Sequence, residues 1–168
     1  MEIFKFGGAS VKDAAGVKNV LEVLKTVGHE NVLLVISAMG KTTNALEIVI
    51  KNYFDKSNEL YASLQDIRKY HNQILLDLFE DEEHEVFFDI NAHFDDLEYF
   101  VRSNKSPNYP FVYDQIISIG ELVSTTIVSH YLNFSGISNQ WLDVRQYIKT
   151  DNNYRDANVD WEHTQKLI

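Results

Sequence analysis

Ile3-Phe4-Lys5-Phe6-Gly7-Gly8-Ala9-Ser10-Val11 decides how the rest of the chain is read. Apolar residues alternate with Lys5 in a short strand-like run, two glycines and a serine follow, and Lys12 to Thr26 has the spacing of a helix. Strand, tight turn and helix start therefore come in one piece. Glycines let a backbone approach a ligand closely, and the first N–H groups of a helix have no intrahelical partner, so a phosphate fits such a turn. Lys5, just before the turn, puts a positive charge where charge builds up during phosphoryl transfer. The same Gly-Gly pair also serves an ordinary β–α connection, since it falls short of the three-glycine dinucleotide fingerprint.

Outward from this turn, Val17, Val20, Leu21, Leu24 and Val27 share one helical face and Gly28 ends the segment. Asn31-Val32-Leu33-Leu34-Val35-Ile36-Ser37 is a continuous apolar run rich in β-branched residues, the pattern of a parallel strand covered on both faces. The result is a βαβ unit. Ala38 to Asn44 is then a polar loop at the carboxyl end of that strand, where open α/β sheets place their ligands, and it feeds a helix through about Phe54. From Asn58 to Ser103 two helical stripes, broken at Glu80-Asp81-Glu82-Glu83, form an excursion packed on the sheet unit, with no linker to bound a separate domain. Asn104 to Pro110 connects to a helix from Phe111 to about Phe134, interrupted near Ser118-Ile119-Gly120. Ser138 to Val144 has the pattern of a third strand, Thr150 to Asp160 is polar and loop-like, and Val159 to Ile168 begins a helix. The pattern predicts an α/β fold, and the sheet is expected to be largely parallel.

A chain of 168 residues, 45% hydrophobic and 24% charged, is long enough for one domain with a real core. The formal net charge of −10 argues against a general nucleic-acid or anionic-membrane surface, so an anionic ligand must be held by local donors. With no cysteine, a disulfide framework and a thiolate zinc site are both excluded. No leader-like n-region and h-region precede the first strand and no apolar run approaches the roughly 18 residues of a membrane span, so the expected location is the cytoplasm.

Two tempting motifs fail on spacing. Gly40-Lys41-Thr42 would need a further glycine at position 35 to be a P-loop, and that position is Val35. His84-Glu85 would need a histidine at position 88 to be a zinc-protease helix, and that position is Phe88. His71, His84 and His93 are expected to be solvated or capping residues.

Lys5-Phe6-Gly7-Gly8-Ala9-Ser10 resembles the N-terminal signature of the aspartate kinases, within the amino-acid kinase superfamily; Ala9 stands where that family usually has Thr or Ser. Ser37 to Asn44, ending in a Thr-Asn pair, is similar to the second family motif. Ser118-Ile119-Gly120-Glu121-Leu122-Val123-Ser124 is similar to the third, and Trp141-Leu142-Asp143-Val144-Arg145 to the Asp-Val-Arg segment, with Asp143 and Arg145 kept as structural. The resemblance covers essentially the whole chain in the family's order. It implies a three-layer αβα sandwich of which residues 1–168 are the N-terminal, amino-acid-binding part of the kinase domain, the nucleotide-binding half and regulatory domains being absent. It also implies ATP-dependent phosphorylation of L-aspartate to 4-phospho-L-aspartate, the entry to lysine, threonine and methionine synthesis, with Mg2+ carried by the nucleotide and homo-oligomers formed through the regulatory domains. Lys5, Phe6, Gly7, Gly8 and Ser10 would then contact the nucleotide phosphates, Lys5 acting catalytically, and Ser37, Ala38, Thr43 and Glu121 would hold the aspartate. The alternatives are an amino-acid kinase with another carboxylate acceptor and a non-catalytic small-molecule-binding relative.

Overall fold

The computed structural model describes residues 1–168. Alternation of side chains builds β1 (Glu2–Phe6) and β2 (Val32–Ile36), which pair in parallel with Lys5 opposite Val35 and Phe6 opposite Ile36. Between them runs α1 (Ala14–Val27), whose buried Val17, Val20, Leu21 and Leu24 form the predicted face. Gly28 closes α1 by donating its N–H to Leu24 O. The first helix thus starts two residues later than the sequence pattern suggested. Asp13 is the reason: its carboxylate accepts the N–H of Gly16 at 2.8 Å and so fixes the N-cap.

Helices α2 (Thr42–Phe54), α3 (Leu60–Leu78), α4 (Glu85–Ser103) and α5 (Tyr109–Phe134) follow, and the short α6 (Trp161–Thr164) comes near the end. The predicted excursion is therefore the α3–α4 pair, joined across the acidic break. It packs on α1, α2 and α5, and all the major elements share one hydrophobic cluster, so no second domain forms.

Four expectations are corrected. The sheet has two strands, because Ser138–Val144 forms no strand: Trp141 docks on α5 by donating Nε1–H to Thr125 Oγ1 at 2.9 Å, and a 3-10 turn follows at Val144–Gln146. β2 is covered on one face only. Phe4, Phe6, Val32, Leu34 and Ile36 turn toward the helices, while Ile3, Leu33 and Val35 stay 62%, 39% and 43% exposed beside Lys5 on the other. Helix α5 runs unbroken through Ser118-Ile119-Gly120. It is also long and apolar enough to cross a membrane by length and composition, a run the sequence reading had missed; 56% of that window is buried, because α5 is the central helix against α1, α2, α4 and β2.

Candidate functional site

The glycine turn and the loop after β2 leave the same end of the parallel pair, and backbone bonds join them. Ser37 N donates to Phe6 O at 3.0 Å and Gly40 N donates to Gly8 O at 2.9 Å. Gly8 permits this closeness, since a Cβ there would stand 2.5 Å from the carbonyl oxygen of Ala38. Within the first loop, Ser10 N donates to Gly7 O at 2.9 Å. At the start of α1 the Asp13 carboxylate takes the N–H of Gly16 and the Asp13 carbonyl that of Val17.

Helix α5 closes the site from below. A Cβ on Gly120 would lie 2.9 Å from Ala38 Cβ and 3.5 Å from Thr42 Cγ2, so the glycine is where α5 meets the loop and α2 at close range. One residue on, the Glu121 carboxylate accepts the N–H of Ala38 at 3.3 Å. Glu121 sits in the middle of α5, far from its N-terminus, so the helix dipole does not hold its charge.

Ala38 is thus the hub to which Gly8, Gly120 and Glu121 converge. Thr43 follows in the first turn of α2, whose N-cap is Lys41 with no side-chain cap bond. The side chains of Ser10, Ser37 and Thr43 make no hydrogen bond within the chain, Lys5 forms no ion pair, and no cation of the chain pairs with Glu121. Polar groups without internal partners are what a polar ligand needs. Lys5 projects from the open face of the sheet, opposite Val35. Phe6 contributes differently: its side chain packs on the core and its carbonyl is taken by Ser37.

Sequence reasoning missed three things here. Lys12 and Lys41, neither in an ion pair, stand on the wall of a groove of about 820 Å³ between α2 and α3 that reaches Gly40. Tyr70 donates its hydroxyl to Lys12 O at the same place, and burial, with the Asp13 charge, raises its pKa. His71, expected to be solvated or capping, is fully buried. The signal was available: His71 falls four residues after Ile67 and three before Ile74, on the apolar stripe of α3. Of the other two histidines, His84 does cap α4, accepting the N–H of Val86, while His93 lies half-buried against Thr126 and Trp141. Asp143 and Arg145 form a local two-pronged ion pair, and that pairing lowers the carboxylate pKa. No group of three or more His, Asp or Glu side chains is arranged to hold a metal ion.

A family model described as the amino acid kinase family matches residues 1–168. The chain belongs to the amino acid kinase family. Within the family it is similar to the bifunctional aspartokinase/homoserine dehydrogenase 2 of Escherichia coli, 27% identical over 150 residues that make up 89% of this chain and 18% of that protein. It is similar to the aspartokinase of Chlamydia trachomatis, 27% identical over 158 residues covering 94% of this chain and 34% of that one. Among solved structures, E. coli aspartokinase III in complex with lysine and aspartate, its T-state, superposes with a TM-score of 0.86 at 25% identity, over 99% of this chain and 36% of that one. The same enzyme with aspartate and ADP, its R-state, superposes at 0.85. The fold is therefore that of the aspartokinase amino acid kinase domain, and the chain spans 18 to 36% of the length of these relatives.

Proposed function

We propose that this chain is the acceptor-binding part of an aspartate kinase, which transfers the γ-phosphoryl group of ATP to the side-chain carboxylate of L-aspartate. The observation that carries the reading is the convergence on Ala38 of the glycine turn, the second loop and Glu121, with Ser37 and Thr43 left free of internal partners. Similarity to aspartokinases, one of them solved twice with aspartate bound, supports aspartate as the acceptor.

The chemistry asks little of a base. A carboxylate is already a nucleophile: one of its oxygens bonds to the γ-phosphorus while the bond to the β–γ bridging oxygen breaks, and ADP leaves with that electron pair. What the protein supplies is positioning and charge neutralisation. The turn N–H groups around Gly7 and Gly8, with Lys5 and Ser10, face the phosphates; Ser37, the Ala38 backbone and Thr43 hold the acceptor, and Glu121 pairs with its ammonium. Mg2+ enters as part of the ATP complex. Adenine contacts and further cations belong to the part of the relatives that this chain does not span, as do the regulatory domains through which the whole protein would oligomerise in the cytoplasm.

Titration of the 15N-labelled 168-residue chain with L-aspartate tests the reading. The amide signals of Ala38, Thr43 and Glu121 are expected to shift with L-aspartate and much less with L-glutamate, and ADP release is expected to be undetectable. Absence of aspartate-dependent shifts at these amides would remove the acceptor site, and turnover by this chain would show that the nucleotide site is complete within it.

A further inference from the structure

His71 has no place in the motifs that carry the reading above, yet it is wholly buried directly beneath the acceptor loop. Its Nδ1 lies 2.8 Å from Ile67 O, one turn back on α3. A carbonyl can only accept, so Nδ1 carries the hydrogen, and in the uncharged ring Nε2 is then a bare acceptor. Burial favours that uncharged ring, holding the pKa at about 4. Nε2 lies 3.3 Å from Thr42 Oγ1.

Thr42 is buried too, and its single hydroxyl hydrogen has two acceptors in reach: Met39 O at 2.6 Å and His71 Nε2. Met39 O also receives the N–H of Thr42 at 3.0 Å, so it keeps a partner when the hydroxyl turns to the imidazole. With the hydroxyl turned to the imidazole, the hydrogen bonds run from Ile67 O of α3 through the ring to Thr42, and the Thr42 N–H carries them on to the carbonyl of Met39, in the middle of the loop. Phe94 of α4 and Tyr70 stand against the ring at centroid distances of 5.6 and 4.9 Å and keep it from turning away.

We propose that His71, as the Nδ1–H tautomer, is the positioning residue of the acceptor loop, tying Thr42 and Met39 to α3 so that Ser37, Ala38 and Thr43 are held ready for the acceptor. This rests on the acceptor site assigned above. Substitution separates its two ends. Asn in place of His71 reaches only the Ile67 carbonyl, whereas Gln reaches toward Thr42; Asn also leaves the larger void, so the two are compared at matched fractions folded and the ring tautomer is read independently of packing.

The experiment uses the 168-residue chain with 15N-labelled histidine. First, the ring nitrogens of His71 are observed directly, with Nδ1 expected to be protonated and Nε2 not. Second, amide hydrogen exchange at Thr42 and the affinity for L-aspartate are compared in H71Q and H71N at matched fractions folded. H71N is expected to exchange about tenfold faster at Thr42 and to bind aspartate correspondingly more weakly, and H71Q to stay near the wild type on both. An Nε2–H tautomer, or equal behaviour of the two variants at Thr42, would overturn the proposal. If neither variant nor wild type binds aspartate, the acceptor assignment fails instead, while the tautomer and exchange results still judge the anchoring of the loop.

Discussion

Replacing Gly120 by alanine sets two effects of known size against each other. In a helix interior alanine is favoured over glycine by about 1 kcal/mol. The added methyl, however, would stand 2.9 Å from Ala38 Cβ, against about 3.5–4.0 Å for relaxed carbon–carbon contact. It would also touch Leu46 Cδ1 at 3.4 Å and Thr42 Cγ2 at 3.5 Å. Ala38 has little room to retreat, because its carbonyl abuts Gly8 and its N–H is held by Glu121. Overpacking against such a wall costs about 1–3 kcal/mol. The net expectation is a loss of about 1 kcal/mol in urea unfolding, small enough for the chain to stay folded. Binding responds more strongly. The Ala38–Glu121 bond is already 3.3 Å long, and displacing the loop breaks it, so L-aspartate affinity by calorimetry is expected to fall about tenfold or more. A G120A chain that gains the full helix-propensity benefit and binds aspartate as before would refute the close-contact role.

In a longer, active form of the protein, Lys5→Met is expected to lower turnover about 100-fold or more without unfolding, since one cation on developing phosphoryl charge supplies a few kcal/mol; unchanged ADP release would remove Lys5 from the chemistry. Thr43→Val and Glu121→Gln are expected chiefly to raise the aspartate requirement and leave ATP saturation nearly intact, a split read from the two apparent KM values. Acid should expose His71: its pKa is about 4 when folded against 6.5 in the unfolded chain, so the unfolded state binds the extra proton between these values and stability falls as pH drops through that window. The shift corresponds to about 3 kcal/mol at 1.36 per unit, and the difference in unfolding free energy between wild type and H71Q measured from pH 7 to 4 should lose its wild-type advantage by about that amount; a constant difference would refute it. Arg68, which stands over Phe94 beside the ring, is paired with Asp95 and lies near Glu98, and the substitution removes none of these partners.

How much of this was legible in the sequence depends on what each residue reports. β1, β2 and the first crossover were, because alternation in Ile3–Phe6 and the β-branched apolar run Val32–Ile36 mark extended backbone, though not that one face of the pair stays open. The convergence of the two loops was half legible: both follow strands at one edge, but their joining through Gly40 N and Gly8 O is a matter of distance. Gly120 was misread as a break because a glycine signals either a weak helix or a tight contact, and only the neighbour decides. Ser138–Val144 misled because Trp141, Leu142 and Val144 in a polar stretch imitate a strand, when Trp141 is in fact an anchor on Thr125. His71 was hidden by its residue type, though its position on the stripe of α3 placed it inside.

The bond from Gly40 to Gly8 makes one body of two loops, to which the proposed function assigns different ligands, the phosphates at one and the acceptor at the other. Such a body cannot be tightened from one side alone. Whatever free energy the bound phosphates spend in ordering it is no longer owed by the acceptor, and thermodynamic reciprocity requires the acceptor to favour the phosphates by the same factor. Synergism between the two substrates would then originate in a single peptide hydrogen bond at the end of a two-stranded sheet, with no conformational change elsewhere in the molecule needed to convey it.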